Sequence, residues 1–442
     1  MAYTVGVVSL GCAKNLVDSE LMLGQLQKAG FVITPRAEEA AVLIVNTCGF
    51  ITPAKEESIN AILEMARYKQ NGRCRVLLAA GCLAQRYGRE LLAEMPELDG
   101  VLGTGAVPRV VDAVWRALAG ERVAELGAPG YDYDGDLPRL QATPGYTAYV
   151  KIAEGCSNRC AFCAIPAIRG PYRSRRAEAV RAEVAALAAR GVKEVILVAQ
   201  DTTRYGYDLY GEYRLAALLR SLAAVPGVAW LRLLYCYPDS ITDELIAVLA
   251  EEGRICRYVD LPLQHINSRI LTAMGRRGDG RAIRRLIARL RESIPGLTLR
   301  TSFIVGFPGE GEAEFEELLD FMRETRFERA GIFKFSPEEG TRAAELPGQV
   351  PEEVKEERYH RAMALQQQIS LEHNLSLVGK DVTVLVEGRR GGRYYGRTEG
   401  DAPEIDGRVF FTARERGLEA GRLVTVRIRR AGEYDLIGEL IS

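Results

Sequence analysis

Apolar runs and helical periodicities alternate along most of the chain. Tyr3–Ser9, Val42–Asn46 and Val76–Ala80 each read as one strand. Between the first two, Leu16, Ser19, Leu23 and Leu26 recur at helical spacing. Strand and helix in alternation predict βαβ units and an open parallel sheet, an α/β arrangement. Six further runs follow: Thr147–Ile152, Glu194–Ala199, Trp230–Tyr235, Tyr258–Leu261, Leu299–Gly306 and Gly331–Phe335. Helical patterns separate them, which predicts a partial (β/α)6 barrel of the TIM type with its chemistry on the loops at the C-terminal strand ends. Beyond them lie five short strands, Asp381–Glu387, Arg393–Thr398, Val409–Thr412, Leu423–Arg429 and Asp435–Leu440. They fit a small antiparallel β-barrel. The segment Leu126–Gly145 is rich in Gly, Pro and Asp and reads as a linker. The expected units are residues 1–125, the linker 126–145, the barrel 146–375 and the terminal barrel 376–442.

Composition narrows the class. The 442 residues carry a formal net charge of −1, with 47% hydrophobic and 26% charged residues. These values exclude disordered, collagen-like and disulfide-scaffold chains as the main description. They also exclude a basic nucleic-acid coat, though not a local basic patch. No apolar run approaches the roughly 18 residues of a membrane helix. Met1-Ala2-Tyr3-Thr4 lacks the basic and apolar pattern of a secretory leader. The expectation is a cytoplasmic protein with no membrane partner. In that reducing compartment nine cysteines point to metal binding or catalysis rather than disulfides.

Six of the nine form two trios. Cys156-Ser-Asn-Arg-Cys160-Ala-Phe-Cys163 follows the strand Thr147–Ile152 directly. Three thiolates within eight residues suit an iron–sulfur cluster with one iron left open. A structural zinc site or free thiols is the plainer alternative, but zinc needs a fourth ligand and no histidine is near in sequence. Cys12, Cys48 and Cys82 each come just after the C-terminal end of an N-terminal strand, with a glycine beside each. In an open parallel sheet those ends meet at the ligand crevice. A second three-thiol cluster is the expectation; the alternative is that small cysteines merely pack at strand ends. Cys74, Cys236 and Cys256 show no such pattern and read as packing residues or incidental thiols.

The spacing of Cys156, Cys160 and Cys163, with Phe162 before the last, resembles the radical S-adenosylmethionine (AdoMet) enzymes. The resemblance implies AdoMet chelated on the open iron and cleaved to a hydrogen-abstracting radical, with the protein supplying orientation and water exclusion. It also implies a partial (β/α) barrel. Two trios followed by a TRAM-like terminal barrel resemble the methylthiotransferases over essentially the whole chain. That resemblance implies two 4Fe-4S clusters: one AdoMet methylates a sulfur species at the N-terminal cluster, and a second generates the radical at the other. Its branches act on a transfer-RNA adenosine or on an aspartate of small-subunit ribosomal protein S-twelve. Ser9-Leu10-Gly11-Cys12-Ala13-Lys14-Asn15-Leu16-Val17-Asp18-Ser19-Glu20 is similar to the second, RimO-type branch. So are Leu261-Pro262-Leu263-Gln264-His265 and Ala402-Pro403-Glu404-Ile405-Asp406-Gly407. The implied partners are that ribosomal protein, free or in the ribosome, a sulfur donor, and an electron donor such as flavodoxin or ferredoxin. The competing readings are a transfer-RNA methylthiotransferase and an RNA-binding module with structural or redox-sensing clusters.

Other positions carry weaker signals. Residues 380–442 hold 12 basic and 11 acidic groups, a surplus of one. A barrel gripping RNA phosphates carries a clear basic surplus. Glu399, Asp401, Glu404 and Asp406 therefore read either as a surface for a basic protein or as a solvated loop. Gln200 ends the second barrel strand and is expected to contact the AdoMet amino group. Gly306 ends the fifth and is expected to let the adenine pass closely. His265 at a strand end reads equally as a substrate contact or as a histidine held by hydrogen bonds. Arg169–Arg176 follows the cluster loop and reads as an orienter of acidic groups or as a solvated turn. His360 and His373 read as structural.

Overall fold

The computed structural model describes residues 3–131, 133–134, 137–413 and 417–441. Residues 1 and 2 of the expected leaderless start, and 132, 135 and 136 of the expected linker, lie outside the described residues.

The first sheet is parallel throughout. Its strands are β1 (Thr4–Ser9), β2 (Val32–Ile33), β3 (Val42–Thr47), β4 (Val76–Gly81), β5 (Gly100–Leu102) and β6 (Val123–Glu125). They lie in the order β2-β1-β3-β4-β5-β6. Every residue of β3 and β4 is buried, which is why both read as unbroken apolar runs rather than as alternations. The strands β2, β5 and β6 are two or three residues long, too short to show any period. The order reverses between β1 and β3, so the crevice at the carboxyl ends opens there.

The central sheet holds β7 (Thr147–Lys151), β10 (Glu194–Val198), β11 (Trp230–Leu233), β12 (Ile255–Asp260), β13 (Thr298–Val305) and β14 (Arg329–Lys334). All six expected strands are present, parallel and in sequence order, with the outer edges at β7 and β14. The pair β8 (Ala153–Glu154) and β9 (Arg173–Ser174) brackets the loop of Cys156, Cys160 and Cys163. Alternation along β7 separates two cores. Ala148 and Val150 join Val180, Val184 and Leu187 of the outer helix Ala177–Ala189. Tyr149 turns the other way and joins Val17, Leu21 and Met22 of the helix Ala13–Lys28, together with Ile196, Val198 and Tyr258. That helix is therefore shared: it backs the first sheet and covers the inner face of the barrel. Each such apolar side chain contributes roughly 1.5–3 kcal/mol on burial, enough for a shared core to bind two units firmly.

The terminal strands β15 (Asp381–Arg390), β16 (Arg393–Arg397), β17 (Val409–Thr412), β18 (Leu423–Ala431) and β19 (Leu436–Leu440) close a barrel in the order β15-β16-β17-β19-β18. The β17–β19 ladder is parallel and the other four are antiparallel.

The acidic stretch 399–406 neither waits for a basic partner nor sits in solvent; it folds under the central sheet. Asp401 accepts from Arg329 at 2.7 Å and Asp406 accepts from the Tyr258 hydroxyl at 2.7 Å. The Glu399 carbonyl accepts from Arg232 at 2.7 Å. Of the four acids only Glu404 is exposed. A charge taken from water needs a close partner, and the inward-facing basic residues of the sheet provide it.

At the centre of this floor Glu194 accepts from Arg232 Nε at 2.8 Å and from Arg397 Nη2 at 2.6 Å. Burial opposes ionisation of Glu194, but the two guanidinium groups outweigh it and hold the carboxyl at about 2. A carboxyl held below its unfolded value contributes stability that is fully present above the unfolded value and is lost as pH falls through the folded one. Glu194→Gln is expected to lower stability by about 3 kcal/mol at neutral pH, since it strands two buried cations. Denaturant midpoints measured from pH 5 down to 2 should show the gap between wild type and variant closing; a gap independent of pH would refute the assignment.

Candidate functional site

The three N-terminal cysteines stand where the strand order reverses. Cys12 caps the helix Ala13–Lys28 after β1, Cys48 follows β3, and Cys82 opens the helix Cys82–Glu94 after β4. Two glycines set the spacing. A Cβ on Gly11 (φ 83°) would lie 2.8 Å from the Cys48 Cβ. One on Gly81 (φ 88°) would lie 2.2 Å from Asn46 Oδ1 and 2.8 Å from the Thr47 carbonyl. Both positions need left-handed backbone and no side chain, so the three loops come together only with glycine there. Asn15 ties them: its Nδ2 donates to the Leu10 carbonyl at 2.8 Å and to the Asn46 and Thr47 carbonyls at 3.2 Å.

The three thiols feel one another electrostatically. Burial pushes the Cys48 thiol up to about 11, with Cys82 and Cys12 adding to the rise. Burial also raises Cys82, against the opposing charge of Arg169. Cys12 is open to solvent at the crevice wall. The protein mass around it still disfavours charge, but Lys14 and Arg169 outweigh this and hold its thiol below the ordinary value.

The second trio lies on one loop at the carboxyl end of the barrel. The Cys156 amide donates to the Gly170 carbonyl at 3.0 Å, and the Ala161 amide to that of Met274 at 2.7 Å. Asn158 donates to Asp201 at 2.8 Å. Arg276 lies over the Tyr237 ring at 3.9 Å and reaches Cys160 Sγ at 3.8 Å. Burial raises Cys156 to about 11 and Cys163 to about 12. Among the described residues no three His, Cys, Asp or Glu side chains close on a single metal ion. Thiolates that share a four-iron cluster bind different irons, whereas those of a zinc site meet at one atom. Three cysteines on one loop suit a cluster with an open iron.

A buried charge network joins the two trios. Arg169 ends the short helix Ile165–Arg169 that follows Cys163, and is 2% exposed. It donates to Asp18 at 2.7 Å, Glu154 at 3.1 Å, Asn15 at 3.0 Å and Cys82 Sγ at 3.4 Å. Lys151 completes the network with Asp18 at 2.5 Å and Glu154 at 2.6 Å. Burial opposes the charge on Glu154, but Arg169 and Lys151 win and hold its carboxyl far below the ordinary range. Tyr133 of the expected linker donates to Asp18 and Glu154, so this stretch is part of the interface rather than a loose spacer. Glu338, after β14, closes the far side through Lys55 at 2.8 Å and Arg86 at 3.1 Å. Of this network the sequence marks only Cys82 and the 169–176 segment as candidates. The missed signal is a helix, Ala13–Lys28, whose polar residues Asn15, Asp18, Ser19 and Glu20 are buried along with its apolar ones.

Gln200 donates to Glu154 at 2.7 Å while its Oε1 is buried without a partner. Gly306 donates its amide to Glu310, and a Cβ there would meet Lys355 at 2.3 Å, so the close approach at this glycine is to Lys355. His265 is fully buried; its Nδ1 accepts from the Asn267 amide at 3.0 Å, and its Nε2 faces Glu310 at 3.5 Å. Tyr235 (φ 61°) and Gln264 (φ 74°) hold left-handed backbone at barrel strand ends, a strain that collects at functional sites.

Comparison with known proteins divides the chain in the same order. Residues 4–103 match the uncharacterized protein family UPF0004, residues 150–322 the radical SAM superfamily and residues 378–441 the TRAM domain. A ribosomal protein uS12 methylthiotransferase RimO from Pelotomaculum thermopropionicum is 60% identical, covering 100% of both chains. A protein of the same name from Desulforudis audaxviator is 58% identical over 100% of this chain and 98% of its own. Among solved structures, the radical AdoMet methyltransferase TsrM from Kitasatospora setae, with cobalamin and a 4Fe-4S cluster bound, is similar in fold. It aligns with TM-score 0.58 and 16% identity over 84% of this chain and 89% of that one.

Proposed function

The chain belongs to the RimO family of ribosomal protein uS12 methylthiotransferases, and on that premise we propose that it places a methylthio group on the β-carbon of an aspartate of uS12. It is an AdoMet-dependent iron–sulfur enzyme of the radical SAM superfamily. We assign Cys156, Cys160 and Cys163 to the radical-generating cluster and Cys12, Cys48 and Cys82 to an auxiliary cluster, two 4Fe-4S groups in all. The units 1–125, 146–375 and 376–442, with the stretch 126–145 between the first two, are the working division of the chain. The observation that carries the reading is Arg169, whose helix begins just after Cys163 and whose guanidinium touches Cys82. Its side chain links the helix that follows the barrel trio to a thiol of the N-terminal trio through a buried, charge-paired contact, which supports the reading.

When bound, the clusters and AdoMet supply electron transfer, hydrogen abstraction, sulfur and methyl; the chain's own residues bind, orient and exclude water. The unpartnered Gln200 Oε1 is suited to accept from the AdoMet amino group. Gly306 is assigned to the adenine side of that site, with Lys355 as its neighbour. The burial of Arg169, Lys151, Asp18 and Glu154 keeps water from the path between the trios. A flavodoxin or ferredoxin supplies electrons, a separate donor supplies sulfur, and the reaction runs in the cytoplasm. Among the described residues no helix is long and apolar enough to cross a membrane.

The test is an anaerobic assay on the iron-reconstituted protein with AdoMet, a reductant and a sulfur source. Purified uS12 and an unmodified transfer-RNA stem-loop are offered in parallel and read by mass spectrometry. A methylthio adduct on a uS12 aspartate is the expected result. An adduct on the RNA alone would overturn the substrate, and absence of both deoxyadenosine and adduct would overturn the chemistry. Cysteines outside the trios serve as controls. Cys74→Ala, Cys236→Ala and Cys256→Ala are expected to retain the wild-type iron content, measured colorimetrically; a loss near half of the iron from any of them would redraw the ligand sets.

A further inference from the structure

Seven lysines and arginines are buried among the described residues: Lys14, Lys151, Arg169, Arg232, Lys355, Arg358 and Arg397. Six of them have a carboxylate within ion-pair distance. Lys14 has none, although it is only 8% exposed. Its charge is met only by the Tyr235 side chain and the neighbouring Cys12 thiol, and a cation withdrawn from water without a carboxylate has room for an anionic ligand.

The placement of Lys14 says what ligand. It lies two residues beyond Cys12, at the start of the helix that covers the barrel's inner face. Its Nζ sits 3.3 Å from the centre of the Tyr235 ring, at the carboxyl end of β11. Tyr235 is fixed in this position. Its amide donates to Asp260 at 2.9 Å, its carbonyl accepts from the Thr202 amide at 3.0 Å, and its backbone is left-handed. The ammonium thus stands on a braced aromatic platform between the N-terminal trio and the mouth of the barrel. An aromatic face stabilises a cation without neutralising it, which leaves the charge available.

We propose that Lys14, supported by Tyr235, is the receptor for the carboxylate of the substrate side chain. The proposal rests on the reading that the substrate is an aspartate of uS12, and it names the group that recognises it. Holding the carboxylate at Lys14 keeps the adjacent β-carbon beside the N-terminal trio, at the carboxyl end of β11. It also gives the site a reason to reject asparagine, which is the same size without the charge.

The test compares uS12 with its variant in which the target aspartate is asparagine. Affinity for each is measured anaerobically by calorimetry on cluster-loaded wild-type protein and on Lys14→Met, whose side chain keeps the length. Wild type should bind the asparagine variant roughly tenfold or more weakly, the loss expected when one partner of a desolvated charge pair is removed. Lys14→Met should bind both forms equally, at the wild-type affinity for the asparagine form. The iron content and visible spectrum should be unchanged in Lys14→Met, which shows that both clusters are loaded. A retained aspartate preference in Lys14→Met would overturn the proposal. If Lys14→Met fails to load clusters, Lys14→Gln replaces it, and equal binding of both substrates by wild type refutes the proposal without any enzyme variant. Wild type that neither binds nor modifies uS12 would remove the reading of function, and this proposal with it.

Discussion

Arg169→Met is expected to lose about 3–5 kcal/mol of stability, the cost of breaking a buried ionic network from one side. The reason is local. Without the guanidinium, Asp18 and Glu154 keep Lys151 as their shared cation, beside the neutral donors Tyr133 and Gln200, while Asn15 Oδ1 loses the Arg169 donor and Cys82 Sγ loses its hydrogen bond from Arg169. Methionine fills much of the volume, so packing changes little and the electrostatic loss dominates. Thermal unfolding of the cluster-free protein, followed by circular dichroism, should show a midpoint lower by several degrees or more. Arg169→Lys should fall between the two, because an ammonium cannot span four partners in one plane as a guanidinium does. A methionine variant as stable as wild type would mean that the network is slack and that the trios are not held by it.

The second large effect separates the trios. Cys156→Ala is expected to abolish AdoMet cleavage, with deoxyadenosine at background under reducing anaerobic conditions. Cys48→Ala should still cleave AdoMet but form no methylthio product. The division follows from position: Cys156 lies two residues beyond Glu154, to which Gln200 donates, at the carboxyl end of the barrel, whereas Cys48 follows β3 of the first sheet. Chromatography for deoxyadenosine and mass spectrometry for product read both steps from one tube. Full product from either variant would refute the division of roles.

The strands, and the placing of Cys12, Cys48 and Cys82 at their ends, were legible for physical reasons. Val42–Thr47 and Val76–Gly81 are buried on both faces, so their apolar character runs unbroken and the strand ends are sharp. Those ends locate Cys12, Cys48 and Cys82 at one crevice without any knowledge of contacts. The bridging residues were not legible in the same way. Arg169 and Cys82 are 87 positions apart, and no periodicity records a pairing across two sheets. Lys151, Asp18 and Glu154 read as ordinary charges until the helix Ala13–Lys28 is seen to be buried nearly all round. The acidic stretch at 399–406 misled for a related reason. A charge count treats every carboxylate as solvated, and Asp401 is 2% exposed and paired with Arg329.

That stretch also orders the chain's assembly in time. The central sheet is complete in sequence at Lys334, yet Arg329 takes its carboxylate from Asp401, Arg232 donates to the Glu399 carbonyl, Tyr258 donates to Asp406, and Glu194 takes its second guanidinium from Arg397. A ribosome releases residues from the N-terminal end first. The barrel therefore emerges with its helix Ala13–Lys28 already available and its floor still unmade. Glu194 and Arg232 wait, paired with each other, until Arg397 in the last part of the chain is free. Synthesis of this protein ends by sealing its middle, and a chain cut short before Arg397 would keep every barrel strand and never finish the barrel.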